Sequence, residues 1–232
     1  MAAETGEFAL GRIRRVDDFA FHLSTKILYG ERAVRSRLAD EVGVFNASTV
    51  AVITDAGIVE AGLVQDVQAA LNDAGVEHVL FDAVEPNPCT DTCLKAFEAT
   101  QQAGAQAIVA VGGGSAMDVA KAAGILMTNG GDLESYEGAN RFAKRMLPMV
   151  CVPTTAGTGS ELTPFSIITI RARNYKMSIY GDGCLPQVAL LDPLFVYRPA
   201  PRCSGLRDGC LDPCCGIVHQ LRRVPGDRCL CV

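Results

Sequence analysis

The glycine-rich stretch IVAVGGGSAMDVAK, residues Ile108 to Lys121, could bind an anion. Consecutive glycines permit a tight turn and let the backbone approach a ligand closely. A helix is predicted to begin near Ser115, with Asp118 three positions later in a spacing that resembles a capping box. Free N–H groups and the positive end of the helix dipole would favour an anion such as a pyrophosphate. An ordinary strand–turn–helix connection remains an open alternative, because such turns are common.

Three other stretches hold candidate binding residues, two of them directly after predicted strands and one within a predicted strand. Asp55, in VITDAG, could accept hydrogen bonds from both hydroxyls of a ribose, and its charge would repel a 2′-phosphate, which favours NAD over NADP. An N-cap role is equally open for this aspartate. Lys176, in NYKMSIY, is by itself most simply a solvated surface lysine. The stretch VPTTAGTGSE is either a polar loop or a site for a ribose, phosphate or carboxamide, through Thr154, Thr155, Thr158 and Ser160.

The elements that would position these residues alternate between strands and helices from about residue 20 to 192. Helical periodicity is clear where Val64, Val67 and Leu71 share one face before a stop at Gly75. Short apolar or β-branched runs predict strands at STVAVIT, VEHVLFD, AQAIVAV, MLPMVCVP, FSIITI, YKMSIY and VALLD. The predicted fold class is α/β, a Rossmann-like and mostly parallel sheet with helices on both faces. Ligands of such sheets bind beyond the carboxyl ends of the strands.

Composition narrows the classes of partner. Hydrophobic residues make up 49% of the chain, enough for a buried core, and the net charge is −5. We expect no nucleic-acid partner, because phosphate binding needs a basic surface. We also expect no membrane association, because no apolar run approaches the roughly 20 residues of a spanning helix. The N-terminus lacks a signal pattern, so a cytoplasmic protein with mostly reduced cysteines is expected.

The composition changes abruptly at about Pro199. We predict a dinucleotide-binding α/β domain over residues 1–198 and an irregular tail over residues 199–232. The tail is rich in Cys, Arg and Pro and holds six of the ten cysteines together with His219. It contains no C-x₂-C pair, so the spacing does not favour a structural zinc site. A disulfide framework would need an oxidising compartment, which nothing else in the sequence indicates.

Taken together and in order, six stretches resemble the iron-containing alcohol dehydrogenase family over about residues 20–193. They are TKILYGERA, TDAG, EPNP, VGGGSAMDVAK, PTTAGTGSE and VALLDP. The resemblance implies an N-terminal dinucleotide-binding domain followed by an all-helical domain that holds a metal, usually Fe²⁺. It implies NAD as cofactor and metal-assisted hydride transfer that oxidises alcohols or reduces aldehydes and ketones. It also allows a homo-oligomer.

The resemblance assigns cofactor-binding roles by position, and it assigns no catalytic residue. Asp55 would contact the adenosine ribose, Asn87 of EPNP would line the cofactor cleft, and Lys176 would reach the nicotinamide ribose. Asp118 would lie near the pyrophosphate, which would be held by Gly113, Gly114 and Ser115. The adenine and nicotinamide portions would be surrounded by Thr154, Thr155, Thr158, Thr163 and Phe165.

The metal ligands implied by the resemblance, one Asp and three His, are not recognisable. The first two should form a D-x-x-x-H pair on one helical face. After Pro201 the one histidine is His219, and no acid stands four positions before it; the acids are Asp208, Asp212 and Asp227. We therefore expect no metal ligands in this chain, a missing or disrupted helical domain, and a chain that is inactive alone. A non-catalytic nucleotide-binding fragment, or an enzyme like glycerol dehydrogenase or dehydroquinate synthase, is the alternative.

The tail provides a first prediction. Arg, Gly, Pro, Cys and Leu are typical of GC-rich DNA read out of frame, so we interpret the tail as a frameshift or truncation near residues 195–201. Sequencing the coding DNA of residues 190–232 should reveal an alternative frame that continues into a D-x-x-x-H helix. If neither alternative frame does so, the interpretation is wrong.

Overall fold

The computed structural model describes residues 24–197, so the tail, with His219 and its aspartates, lies outside the described residues. The described strands are β1 (Lys26–Tyr29), β2 (Thr49–Ile53), β3 (Glu77–Phe81), β4 (Ala107–Gly112), β5 (Gly138–Ala139), β6 (Met149–Pro153), β7 (Phe165–Ile170), β8 (Tyr175–Tyr180) and β9 (Val188–Leu191). The described helices are α1 (Ala33–Val44), α2 (Ala56–Glu60), α3 (Leu63–Asp73), α4 (Thr90–Gln102), α5 (Gly114–Asn129) and α6 (Pro193–Tyr197).

Six strands form a parallel sheet in the order β1-β9-β6-β4-β2-β3, which confirms the predicted α/β class. Every residue of β4 and β6 is buried, because helices cover both faces of the sheet. Alternate side chains enter two separate cores: Ile108 and Ala110 pack with α4 and α5, whereas Val109 and Val111 pack with α1 and α3. The near-continuous apolar strands seen in the sequence are thus explained.

The strands β7 and β8 do not join this sheet. They form an antiparallel hairpin, with β5 beside β8, in a separate three-stranded sheet. The connection explains the pairing, since four residues, Arg171 to Asn174, cannot make the long crossover that parallel strands need. Asn174 closes the turn in the left-handed region at φ 45°. Burial alternates along β7, so one face of the hairpin packs on the core and the other is left open.

Among the described residues, no helix is both long and apolar enough to cross a membrane.

Two buried threonines differ in how their hydroxyls are satisfied. Thr54, which directly follows β2, is fully buried, and its Oγ1 has no hydrogen-bond partner among the described residues. Thr25 is also buried, but its Oγ1 donates to the Pro186 carbonyl at 2.7 Å. A buried polar group without a partner costs free energy, whereas a bonded one contributes to stability. Comparing the two threonines therefore measures how much one buried hydrogen bond contributes to the free energy of unfolding.

We expect Thr54→Val to leave the free energy of unfolding unchanged or raise it by up to about 1 kcal/mol, because it removes an unsatisfied hydroxyl without changing side-chain shape. Thr25→Val should lower the same free energy by about 1–2 kcal/mol, because it leaves the Pro186 carbonyl without its donor. Urea unfolding of both variants measures the difference. Equal losses in the two variants would show that the Thr54 hydroxyl is satisfied in solution.

Candidate functional site

A cavity of about 440 Å³ lies between the start of α5, the loop before α4 and the open face of the β7–β8 hairpin. Eight of the twelve residues predicted for cofactor binding line it: Asn87, Gly114, Ser115, Asp118, Thr158, Thr163, Phe165 and Lys176. The parallel sheet explains this convergence, because the loops after its strands emerge at one edge. Pro88, Ser160, Ile167 and Thr169 complete the lining.

The other four predicted residues, Asp55, Gly113, Thr154 and Thr155, lie beside the cavity at the carboxyl end of β4. A Cβ on Gly113 would lie 3.0 Å from Oγ1 of Thr155, and the Thr154 amide donates to the Gly112 carbonyl at 3.0 Å. On the cavity side, a Cβ on Gly114 would lie 3.2 Å from Cγ2 of Thr158. The glycines thus allow the loop after β6 to pack directly on the turn before α5.

The predicted capping box at the start of α5 is wrong. The helix begins one residue earlier, at Gly114, and its N-cap is Gly113, which has no side chain to bond the first amides. Ser115 therefore lies inside the first turn. The Asp118 carboxylate turns away from the helix start and accepts a hydrogen bond from Oγ of Ser160 at 2.9 Å. The first amides of α5 thus have no side-chain cap from this pair and stand at the cavity.

Asp55 is the N-cap of α2, and its Oδ1 accepts a hydrogen bond from the Ile58 amide at 3.1 Å. This geometry establishes the structural role that the sequence left open. The second carboxylate oxygen, Oδ2, lies 3.6 Å from the position that a Cβ on Gly112 would occupy. One oxygen therefore caps the helix while the other faces the glycine turn, so the cap does not exclude a ligand role.

Lys176 on β8 is exposed, and its Nζ donates to Oδ1 of Asn87 at 2.6 Å. Asn87 has a left-handed backbone, with φ 53°, in the turn between β3 and α4. The turn is tied to the hairpin because the Thr169 amide donates to the Pro88 carbonyl at 2.8 Å. The lysine and the asparagine thus form one polar end of the cavity.

Glu85 stabilises the turn between β3 and α4, and sequence reasoning missed this residue. Its carboxylate accepts hydrogen bonds from Oγ1 of Thr92, at 2.6 and 2.8 Å, and from the Cys89 amide at 3.3 Å. Burial acts to raise the pKa of Glu85, but the hydrogen bonds outweigh it and the pKa is lowered. The carboxylate is therefore the stable form that fixes the start of α4. The E-x-x-x-C-x-x-T spacing was visible, but only the turn geometry brings these groups together.

Behind the cavity lies a buried polar group that sequence reasoning also missed. Lys121 is fully buried on α5, and its Nζ donates to the carbonyls of Ser160, Thr163 and Phe165, each at 2.7 Å. Burial lowers the pKa of Lys121. Burial also raises the pKa of Asp118, although the Lys121 charge and the Ser160 hydroxyl oppose that rise. The sequence signal was a lone lysine in the apolar run of α5.

The described residues contain no group of three or more His, Cys, Asp or Glu side chains placed to hold a metal ion. Four cysteines, Cys89, Cys93, Cys151 and Cys184, are buried free thiols in this part of the chain. Burial raises the pKa of Cys184 to about 12, so this thiol is neutral near pH 7.

Comparison with known proteins shows which family this chain resembles. The family model for iron-containing alcohol dehydrogenases matches residues 24–193. Alcohol dehydrogenase 4 of Schizosaccharomyces pombe is 34% identical over 182 residues, which cover 78% of this chain and 43% of that protein. The NAD-dependent methanol dehydrogenase of Bacillus methanolicus is 37% identical over 155 residues, covering 66% and 41% of the two chains.

A solved structure shows the same architecture. The sulfoacetaldehyde reductase of Bifidobacterium kashiwanohense, determined in complex with NAD⁺, superposes with a TM-score of 0.71 at 31% identity, over 77% of this chain and 47% of that chain. The chain spans less than half the length of each of these three relatives. The extent of the family match, together with the fold, shows that the chain belongs to the iron-containing alcohol dehydrogenase family.

Proposed function

We propose that residues 24–197 form the NAD-binding part of an oxidoreductase that interconverts small alcohols with aldehydes or ketones. The observation that carries the proposal is the convergence of eight predicted cofactor residues on one cavity beside the glycine turn. Two named relatives support it: a methanol dehydrogenase that is NAD-dependent and a sulfoacetaldehyde reductase bound to NAD⁺. When bound, NAD would supply the hydride acceptor at its nicotinamide ring.

The cavity suits a dinucleotide on grounds internal to the structure. The volume of about 440 Å³ lies within the usual range for small-molecule sites. The start of α5 has no side-chain cap, and Gly114 and Ser115 of its first turn line the cavity, so its free amides could bind a pyrophosphate there. Asp55 lies to one side of this turn, and the pair of Asn87 and Lys176 lies at the hairpin.

These positions define what each residue would do. Asp55 would accept hydrogen bonds from the adenosine ribose, and Ser115 with the amides of α5 would bind the pyrophosphate. Asn87 and Lys176 would orient the nicotinamide ribose. The ring of Phe165, stacked on Tyr180 with centroids 5.2 Å apart, would give one wall of the cleft an apolar surface and help to exclude water.

The described residues do not fit a catalytic Fe²⁺, since no suitable ligand group occurs among them. In our proposal the metal of the family and the groups that select the substrate are held outside residues 24–197. We retain two further proposals: residues 1–198 are the cofactor domain, and the tail from residue 199 does not supply the metal site. A cytoplasmic location and a homo-oligomeric state also stand as proposals.

We expect the full 232-residue chain to bind NADH but not to oxidise ethanol or 1-propanol with NAD⁺ and added Fe²⁺ or Zn²⁺. Fluorescence titration measures the binding of NADH, and absorbance at 340 nm measures the oxidation of the alcohol. Lys176→Met should weaken NADH binding about tenfold, because the charge-assisted hydrogen bond that joins Lys176 to Asn87 in the cleft is lost. The exposed Lys95→Met is the matched control and should bind as the unaltered chain does. Undetectable NADH binding would contradict the cofactor assignment, and metal-dependent turnover would contradict the interpretation of the tail.

Asp55 tests the choice between NADH and NADPH. Asp55→Ser keeps an N-cap oxygen but removes the charge, whereas Asp55→Ala removes both. Both variants should lose most of the preference for NADH, by about tenfold or more, because the repulsion of a 2′-phosphate is gone. Urea unfolding should show a loss of about 1 kcal/mol in the alanine variant and a smaller change in the serine variant. A serine variant that still rejects NADPH would contradict the role of the charge.

A further inference from the structure

The segment from Thr158 to Phe165, here called the cleft segment, forms one wall of the cavity. It has few backbone hydrogen bonds to the six-stranded sheet. It contributes four of the lining residues: Thr158, Ser160, Thr163 and Phe165. Two of its hydrogen bonds are internal, from the Leu162 amide to the Gly159 carbonyl and from the Ser160 amide to Oγ1 of Thr158. At its far end the Gly181 amide donates to the Pro164 carbonyl at 3.2 Å. Its position must therefore depend largely on side chains.

Those side chains come from α5. Lys121 Nζ donates to three carbonyls of the cleft segment at 2.7 Å each, and it lies 3.4 Å from Oγ of Ser160. Asp118 accepts from the same hydroxyl at 2.9 Å. The side chain of Lys121 is fully buried and does not line the cavity. It therefore reaches the ligand site only through the segment it holds.

The three carbonyls determine the protonation state of the lysine. An ammonium group has three N–H donors, and here each meets a carbonyl oxygen. A neutral amine would have only two donors and would turn its lone pair towards the third oxygen. Within residues 24–197 no carboxylate forms a direct ion pair with Lys121, and the nearby thiols of Cys151 and Cys184 have raised pKa values through burial. The backbone dipoles and Asp118 must offset the buried charge.

We propose that Lys121 is a positioning residue of the cofactor cleft, whose ammonium group fixes the cleft segment so that Thr163 and Phe165 stand where the nicotinamide half of NAD binds. This inference rests on the proposed function and deepens it. The adenosine half would contact Asp55, which is held at the end of β2 as the N-cap of α2 and not by the cleft segment. Loss of the ammonium group should therefore weaken the binding of the two halves unequally.

The test compares Lys121→Met with the unaltered 232-residue chain and with the exposed Lys95→Met control. Calorimetric titration should show NADH binding weakened about tenfold or more in Lys121→Met, with ADP binding changed less than about twofold. The emission of NADH bound to this variant should fall towards that of free NADH, because the nicotinamide ring loses its wall. Equal weakening of NADH and ADP would indicate general loosening of the domain and overturn the proposal, as would unchanged NADH binding.

A second variant and a second measurement keep the proposal testable if Lys121→Met does not fold or if the chain does not bind NADH. Lys121→Gln keeps two donors and should fold if the methionine variant does not; it should bind NADH with intermediate affinity. Hydrogen exchange should show faster exchange in the amides of residues 158–165 in both variants, with β4 and α5 unchanged. This readout needs no ligand, so it separates the inference from the proposed function: a chain that binds no NADH fails the latter alone. Unaltered exchange in the cleft segment would overturn the positioning role.

Discussion

The parallel pairing of β4 with β2 on one side and β6 on the other is the constraint on which the rest of the structure depends. Both faces of these central strands are covered, so their side chains must be apolar and no polar group can be carried within them. Polar chemistry is thereby displaced to the loops, and parallel direction sends the loops after the strands to one edge. The cavity exists at that edge because the hairpin of β7 and β8 closes it from the side.

The second layer of order is a small polar network in an apolar setting. Lys121 and Asp118 lie on α5 among residues that are otherwise mostly apolar, and each bonds to the loop that follows β6. A buried cation costs much desolvation energy unless its donors are all used, and here three carbonyls use them. The apolar side chains of α5 therefore fill the core, whereas Asp118 and Lys121 bond to the loop after β6 and fix its position.

Much of this was predictable from sequence, and the failures have physical causes. The central strands of the parallel sheet were evident because double-sided burial leaves continuous apolar runs, as in AIVAVG. The pairing of β7 with β8 needed the four-residue turn to be weighed against a crossover. The capping box failed because the helix begins at Gly114, ahead of Ser115, and because Asp118 bonds to Ser160, forty-two positions away. Lys121 was missed because it bonds to backbone carbonyls, which leave no pattern in the residue types. Glu85 was missed because only the turn before α4 brings it to Thr92 and the Cys89 amide.

The position of β1 has a consequence for how the chain acquires its fold. This edge strand pairs only with β9 in the described sheet, and the adjoining bond from Thr25 to Pro186 spans 161 positions. A ribosome adds about 5–20 residues each second, so β1 waits on the order of ten seconds for β9 to emerge, whereas α1 can pack on the earlier α3. During synthesis the sheet can grow outward from β2, β3 and β4, but its first strand is inserted last. Pairing of β1 with β9 thus marks a late step of folding, and its contacts close the longest loop in the described fold at a corresponding entropic cost.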